Sequence, residues 1–86
     1  MEQNIDKEII SMLAIMTGFE SDEIKPKMYI VKDLGVDSLK VIEIATAIEQ
    51  KYKVTVKESQ MAKINTVGES IELVKELLKK KQKSLK

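Results

Sequence analysis

Ser38 sits in the stretch Asp33-Leu34-Gly35-Val36-Asp37-Ser38-Leu39, between an aspartate and an apolar-periodic segment. A serine hydroxyl becomes a nucleophile when a neighbouring base takes its proton, and that base is most often histidine. The chain of 86 residues has neither histidine nor cysteine. The usual zinc ligands, thiol nucleophiles and disulfides are therefore missing together. Lys40, two residues on, points to another face of a helix. Carboxylate chemistry stays open in principle, but a catalytic Ser38 has no base to serve it. Two uses remain: a helix-start residue or a point of covalent attachment. Spacing alone favours the first, because Asp-Ser-Leu is a tripeptide that recurs by chance.

The element that must position Ser38 is a helix. Aspartate before an apolar-periodic run is a good N-cap, since its carboxylate accepts free amide hydrogens of the first turn. With Asp37 as the cap, Ser38 takes the first helical position and turns its hydroxyl to solvent. A phosphate esterified there would meet unpaired amides at the positive end of the helix dipole. Gly35 lets the preceding loop turn tightly, while Leu34 and Val36 anchor it. The spacing predicts a helix from about Asp37 to Tyr52, with Val41, Ile44, Ala45, Ile48 and Tyr52 on its buried face. Leu39, Ile42 and Thr46 fall off that face, beside Glu43 and Glu49, an arrangement that suits a partner surface and equally the isolated exposed apolar residues common on any protein.

The remaining elements follow from apolar periodicity. A first helix is expected over about residues 4–17, capped by Asn4 or Asp6, with Ile5, Ile9, Met12, Leu13 and Met16 as its stripe. Gly18 fits the left-handed residue after its end. Residues 18–36 form a long connection in which Ser21 or Asp22 starts a short turn and Pro26 discourages helix at Lys25. Phe19, Ile24, Met28, Ile30 and Val31 are expected to fold this loop onto the core. Lys-Val-Thr-Val, 53–56, alternates like a strand but has nothing to pair with, and it reads as extended loop. A short helix over about 58–64 follows. The last helix opens with Thr66-Val67-Gly68-Glu69, a capping-box pattern, and Val67, Ile71, Val74 and Leu78 trace one face. The fold class is all-α: a small bundle of three main helices and one short one, with a long structured loop between the first two main helices.

Composition bounds the rest. Residues 75–86 hold six lysines and one glutamate, which leaves nine lysines against thirteen acids over residues 1–74. The domain, residues 1–78, is thus acidic, and residues 79–86 form a lysine-rich tail that reads first as a solvated helix end and second as a contact for anionic membrane or nucleic acid. All fifteen basic residues are lysine, so no arginine fork exists for phosphate or base recognition. With two tyrosines and one phenylalanine as the only aromatics, no nucleic-acid partner is expected. No apolar run reaches the roughly 18 residues of a membrane span, and the acidic start lacks the basic opening of a secretory signal. A soluble, cytoplasmic monomer is the expectation.

Asp33-Leu34-Gly35-Val36-Asp37-Ser38-Leu39, followed by Val41, Glu43, Ala47, Ile48 and Glu49, resembles the phosphopantetheine-attachment region of acyl carrier proteins. The likeness extends over about residues 4–78, through the long first loop and Lys63-Ile64-Asn65-Thr66-Val67. The resemblance implies that a phosphopantetheinyl transferase moves 4′-phosphopantetheine from coenzyme A onto the Ser38 hydroxyl. The carrier would then present acyl groups as thioesters and catalyse nothing itself. It implies that Asp37 helps position the hydroxyl and a metal in the transferase complex. Leu39, Ile42, Glu43, Thr46 and Glu49 would form the partner face, meeting loading enzymes and ketosynthase or acyltransferase partners. By the same analogy an acyl chain folds back between the helices, where the small Ala45 and Thr46 and the flexible methionines would soften the core.

One departure stands out. Residues 37–52 hold three acids against two lysines, whereas fatty-acid carriers are strongly acidic there, and Lys40 stands where such carriers commonly have an acid. The pathway expected is fatty-acid synthesis or, on the ground of these lysines, a specialised polyketide or modified-lipid system; general compositional drift would account for the lysines as well. A D-alanyl, aminoacyl or peptidyl carrier shares Ser38 and much of the fold, and an unmodified helical interaction module would need no prosthetic group.

Overall fold

The chain builds its helices where its caps and apolar stripes coincide. The structure, a computed structural model, describes the backbone of residues 4–84 and side chains through Lys81. The expected ends at residues 1–3 and 85–86 lie outside the described residues. Helix α1, Ile5–Thr17, is capped by Asn4, whose Oδ1 accepts the Lys7 amide at 3.1 Å. It ends on Gly18 at φ 84°, a left-handed turn whose amide returns to Ala14 O. A single 3₁₀ turn, Ser21–Glu23, follows. Helix α2 is Ile30–Leu34, α3 Ser38–Tyr52, α4 Glu58–Met61 and α5 Val67–Ser84. Among the described residues the β structure is an isolated antiparallel bridge, Tyr29 to Thr66.

The core is aliphatic. Ile9 and Leu13 of α1, Ile30 of α2, Ile44 and Ile48 of α3, and Val67, Leu73 and Val74 of α5 are essentially fully buried. Each contributes about 1.5–3 kcal/mol by leaving water. The expected faces need three adjustments. Val41 and Leu78 are half-buried rather than sealed in, and α5 widens its face through Leu73, Leu77 and a buried Ser70. Ser70 is satisfied because its hydroxyl donates to Thr66 O at 3.0 Å. Met12 and Met16 are half-buried flank residues.

The connection between α1 and α3 carries an element the periodicity does not predict. Ile24 and Ile30 are buried and Phe19 and Met28 half-buried, as expected, but Val31 is 52% exposed. The reason is α2 itself. A helical turn sends neighbours to different sides, so with Ile30 and Leu34 buried at i and i+4, Val31 faces out. The segment before α2 is stitched to the start of α5. Pro26 O accepts the Gly68 amide, Met28 O the Val67 amide, and Asn65 O receives the Ile30 amide, each at 2.9 Å. A Cβ at position 68 would stand 3.2 Å from Pro26 O, so glycine there permits the close approach.

Residues 53–56 form a loop, as expected: Lys53 ends α3 at φ 56° and no strand follows. Helix α4 is shorter than the expected 58–64 because its exit tightens into three-residue turns, Lys63 N to Gln60 O and Ile64 N to Met61 O, both 3.0 Å. At α5 the capping box forms in both directions, Thr66 N to Glu69 Oε1 and Glu69 N to Thr66 Oγ1, each 3.1 Å. The helix continues through the lysine-rich segment, and Lys81 Nζ donates to Tyr52 O at 3.1 Å. No described helix is long and apolar enough to cross a membrane.

Candidate functional site

Ser38 is the first residue of α3 and is exposed. Asp37 precedes it in extended conformation, φ −94° and ψ −179°, and caps the helix: Lys40 N donates to Asp37 Oδ1 at 2.9 Å. The Asp37 carbonyl takes the Val41 amide at 3.2 Å. The amides of Ser38 and Leu39 have no partner among the described residues, and neither has the Ser38 hydroxyl. An uncommitted hydroxyl beside two uncommitted amides, at the positive end of a fifteen-residue helix, fits an esterified phosphate.

Helix α2 delivers the chain to this point. Leu34 is buried, and Gly35 closes the helix at φ 68° with open space around its Cα. Val36 packs partly against the core. Asp33 is a brace, since its Oδ2 accepts the Tyr29 amide at 2.7 Å across the start of α2. Sequence reasoning missed both α2 and this use of Asp33. The signals were there, an aspartate four residues after an exposed amide and a glycine at a helix end.

On α3 the structure brings Leu39, Ile42, Glu43 and Thr46 together on the outward face next to Ser38. Leu39 is 67% exposed and Ile42 52%. Thr46 is exposed, with its hydroxyl donating to Ile42 O at 3.1 Å. It therefore lines no space between helices, which corrects the expectation that it softens the core; Ala45 alone is buried there. Glu43 pairs with Lys40, Nζ to Oε1 3.0 Å. Glu49 stands apart at the far end of the helix, half-buried, its Oε2 accepting the Val56 amide at 2.8 Å and so fixing the loop after α3.

The end of α3 remote from Ser38 is tied into the bundle. Tyr52 is buried and its hydroxyl donates to Glu8 Oε1 of α1 at 2.7 Å. Burial, and then the hydrogen bond to Glu8 and its negative charge, push the Tyr52 phenol well above the usual tyrosine range. The described surface has open grooves elsewhere. One of about 1000 Å³ runs beside α5 between Pro26, Lys63, Leu73 and Lys79, and one of about 350 Å³ lies over Tyr29, Val31 and Asn65. Ser38 lines neither. No group of three or more carboxylates that could hold a metal occurs among the described residues.

A family model described as "Phosphopantetheine attachment site" matches residues 7–74. The meromycolate extension acyl carrier protein of Mycolicibacterium aurum is 33% identical over 76 residues, covering 88% of this chain and 78% of that protein. Its counterpart in Mycobacterium leprae (strain TN) is 34% identical over 76 residues, and the chain spans 66% of its length. The solution structure of the apo doublet acyl carrier protein from prodigiosin biosynthesis shares the fold. The TM-score is 0.71 at 22% identity, covering 84% of this chain and 35% of that one. The chain therefore belongs to the acyl carrier protein family, as a carrier of acyl intermediates on covalent 4′-phosphopantetheine and not an enzyme.

Proposed function

We propose that Ser38 is the residue that bears the arm, that Asp37 positions its hydroxyl, and that Leu39, Ile42, Glu43, Thr46 and Glu49 contribute to the partner face. The observation that carries this is the exposed Ser38 hydroxyl, uncommitted at the first position of α3 directly after the Asp37 cap. When bound, the arm supplies a terminal thiol on which an acyl group rides as a thioester. The chain's own part is presentation. Asp37 spends one oxygen on the Lys40 amide, which holds its carboxylate beside Ser38 and leaves the other oxygen for a metal brought by the transferase. Leu39 and Ile42 offer apolar contact next to the loaded residue. A flexible tether raises the local concentration of cargo at each partner in turn, without tight binding.

The specialised assignment is part of the proposal. The relatives named above serve meromycolate extension, and α3 carries Lys40 and Lys51 against Glu43 and Glu49. Together these favour a dedicated lipid or polyketide chain-building system over general fatty-acid synthesis. The proposed partners are a phosphopantetheinyl transferase, an acyl-loading enzyme and a ketosynthase or acyltransferase. The proposed compartment is the cytoplasm, where coenzyme A is at hand.

The test is an intact mass after incubation with coenzyme A and a promiscuous phosphopantetheinyl transferase. The wild-type chain should gain one phosphopantetheinyl group and Ser38→Ala none. A wild-type chain left at its polypeptide mass, or a modified Ser38→Ala chain, overturns the assignment.

A further inference from the structure

Both carboxylates on the outward side of α3 are already engaged within the chain. Glu43 Oε1 lies 3.0 Å from Lys40 Nζ, and Glu49 Oε2 holds the Val56 amide at 2.8 Å. On the Ser38 side of these two occupied acids, Leu39 and Ile42 leave 67% and 52% of their surfaces to solvent. The side chains of Lys40 and Glu43 are themselves 34% and 60% exposed. A pair this open does little for folding, yet it sits within the first two turns of α3 from Ser38, where an incoming enzyme must approach.

We propose that Lys40 is a specificity-determining residue. By pairing with Glu43 it offsets that carboxylate's charge and leaves Leu39 and Ile42 as the main contact surface on the α3 side of Ser38. That face fits a partner enzyme with an apolar recess for Leu39 and Ile42 and a carboxylate opposite Lys40. A partner that docks through basic residues has to part Lys40 from Glu43 and then meets a like charge, a repulsive device of the kind that separates correct from incorrect partners. The inference rests on the reading of Ser38 as the attachment residue.

The experiment measures KM for loading by a phosphopantetheinyl transferase with a basic docking surface, followed by intact mass at low and high ionic strength. Wild type, Lys40→Gln and Lys40→Met are compared, each also in a Glu43→Gln background. Both Lys40 substitutions should lower KM roughly two- to fivefold at low salt, the range of one exposed charge pair. The gain should fade at high salt, where screening shortens, and should shrink by at least half when Glu43 is replaced. An unchanged KM, or a gain of equal size without Glu43, overturns the proposal. A wild-type chain that accepts no arm overturns the Ser38 reading and this inference with it. A loaded chain with indifferent KM overturns this inference alone.

Discussion

Asp37 does two jobs that substitution can separate. As a cap it satisfies the Lys40 amide at 2.9 Å, and as a charge it stands beside Ser38. Replacing it with alanine should cost about 1 kcal/mol, whereas asparagine, an equally good cap, should hold stability within a few tenths. Urea unfolding followed by circular dichroism measures this, and equal losses in both variants would contradict the capping role. The cap, the exposed serine and the outward position of Leu39, Ile42 and Thr46 were all legible in the sequence, because helical spacing fixes which side a residue takes. The commitments of Glu43 and Glu49 were not. A carboxylate's type can be read from the chain, but its partner at Val56 depends on the path of the loop after Lys53.

At the scale of elements, α2 decides where α3 begins. Gly35 ends α2 in the left-handed region with nothing within 4 Å of an added Cβ, so the cost of a side chain there is conformational rather than steric. Gly35→Ala should lose about 1–2 kcal/mol, and Gly35→Asn less, since asparagine tolerates this conformation. Thermal melts of the two variants decide it; an alanine variant as stable as wild type would show that the turn is not strained. The sequence gives α1, α3 and α5 plainly, because each carries several turns of apolar spacing and a cap, down to the reciprocal Thr66–Glu69 box. Five residues, Ile30–Leu34, are too few to display a period. Helix α2 shows in the sequence only by its local Asp33 brace on the Tyr29 amide and its Gly35 exit, and its other hold, Asn65 on the Ile30 amide, comes from a distant loop.

For the whole molecule, with a radius of gyration of 12.4 Å, stability rests on one small core plus a few long-range ties. The tie at the end of α3 gathers three helices: Glu8 of α1 accepts from the Tyr52 hydroxyl, and Lys81 of α5 donates to the Tyr52 carbonyl. This knot makes stability depend on alkaline pH in a definite direction. The folded state raises the Tyr52 pKa, so it holds the phenolic proton more tightly than the unfolded chain. The contribution is fully present below the unfolded value of about 10 and is lost as pH rises above it. Urea midpoints near pH 8 and near pH 11 should therefore fall further in wild type than in Tyr52→Phe. Equal falls would mean that the hydroxyl is not held by Glu8. Sequence periodicity placed Tyr52 in the core, but a bond across 44 positions lies beyond any local pattern.

The stitching of Pro26, Met28 and Ile30 to residues 65–68 has a consequence for how the protein is made. During synthesis the stretch leading to Ser38 leaves the ribosome long before the residues that set its register. Until Gly68 has been translated, those backbone groups have only water to pair with, and the turn that aims the serine has no fixed seat. Display of Ser38, the proposed loading residue, thus becomes a property of the completed fold, so on that proposal an unfinished chain should be a poor substrate for the transferase.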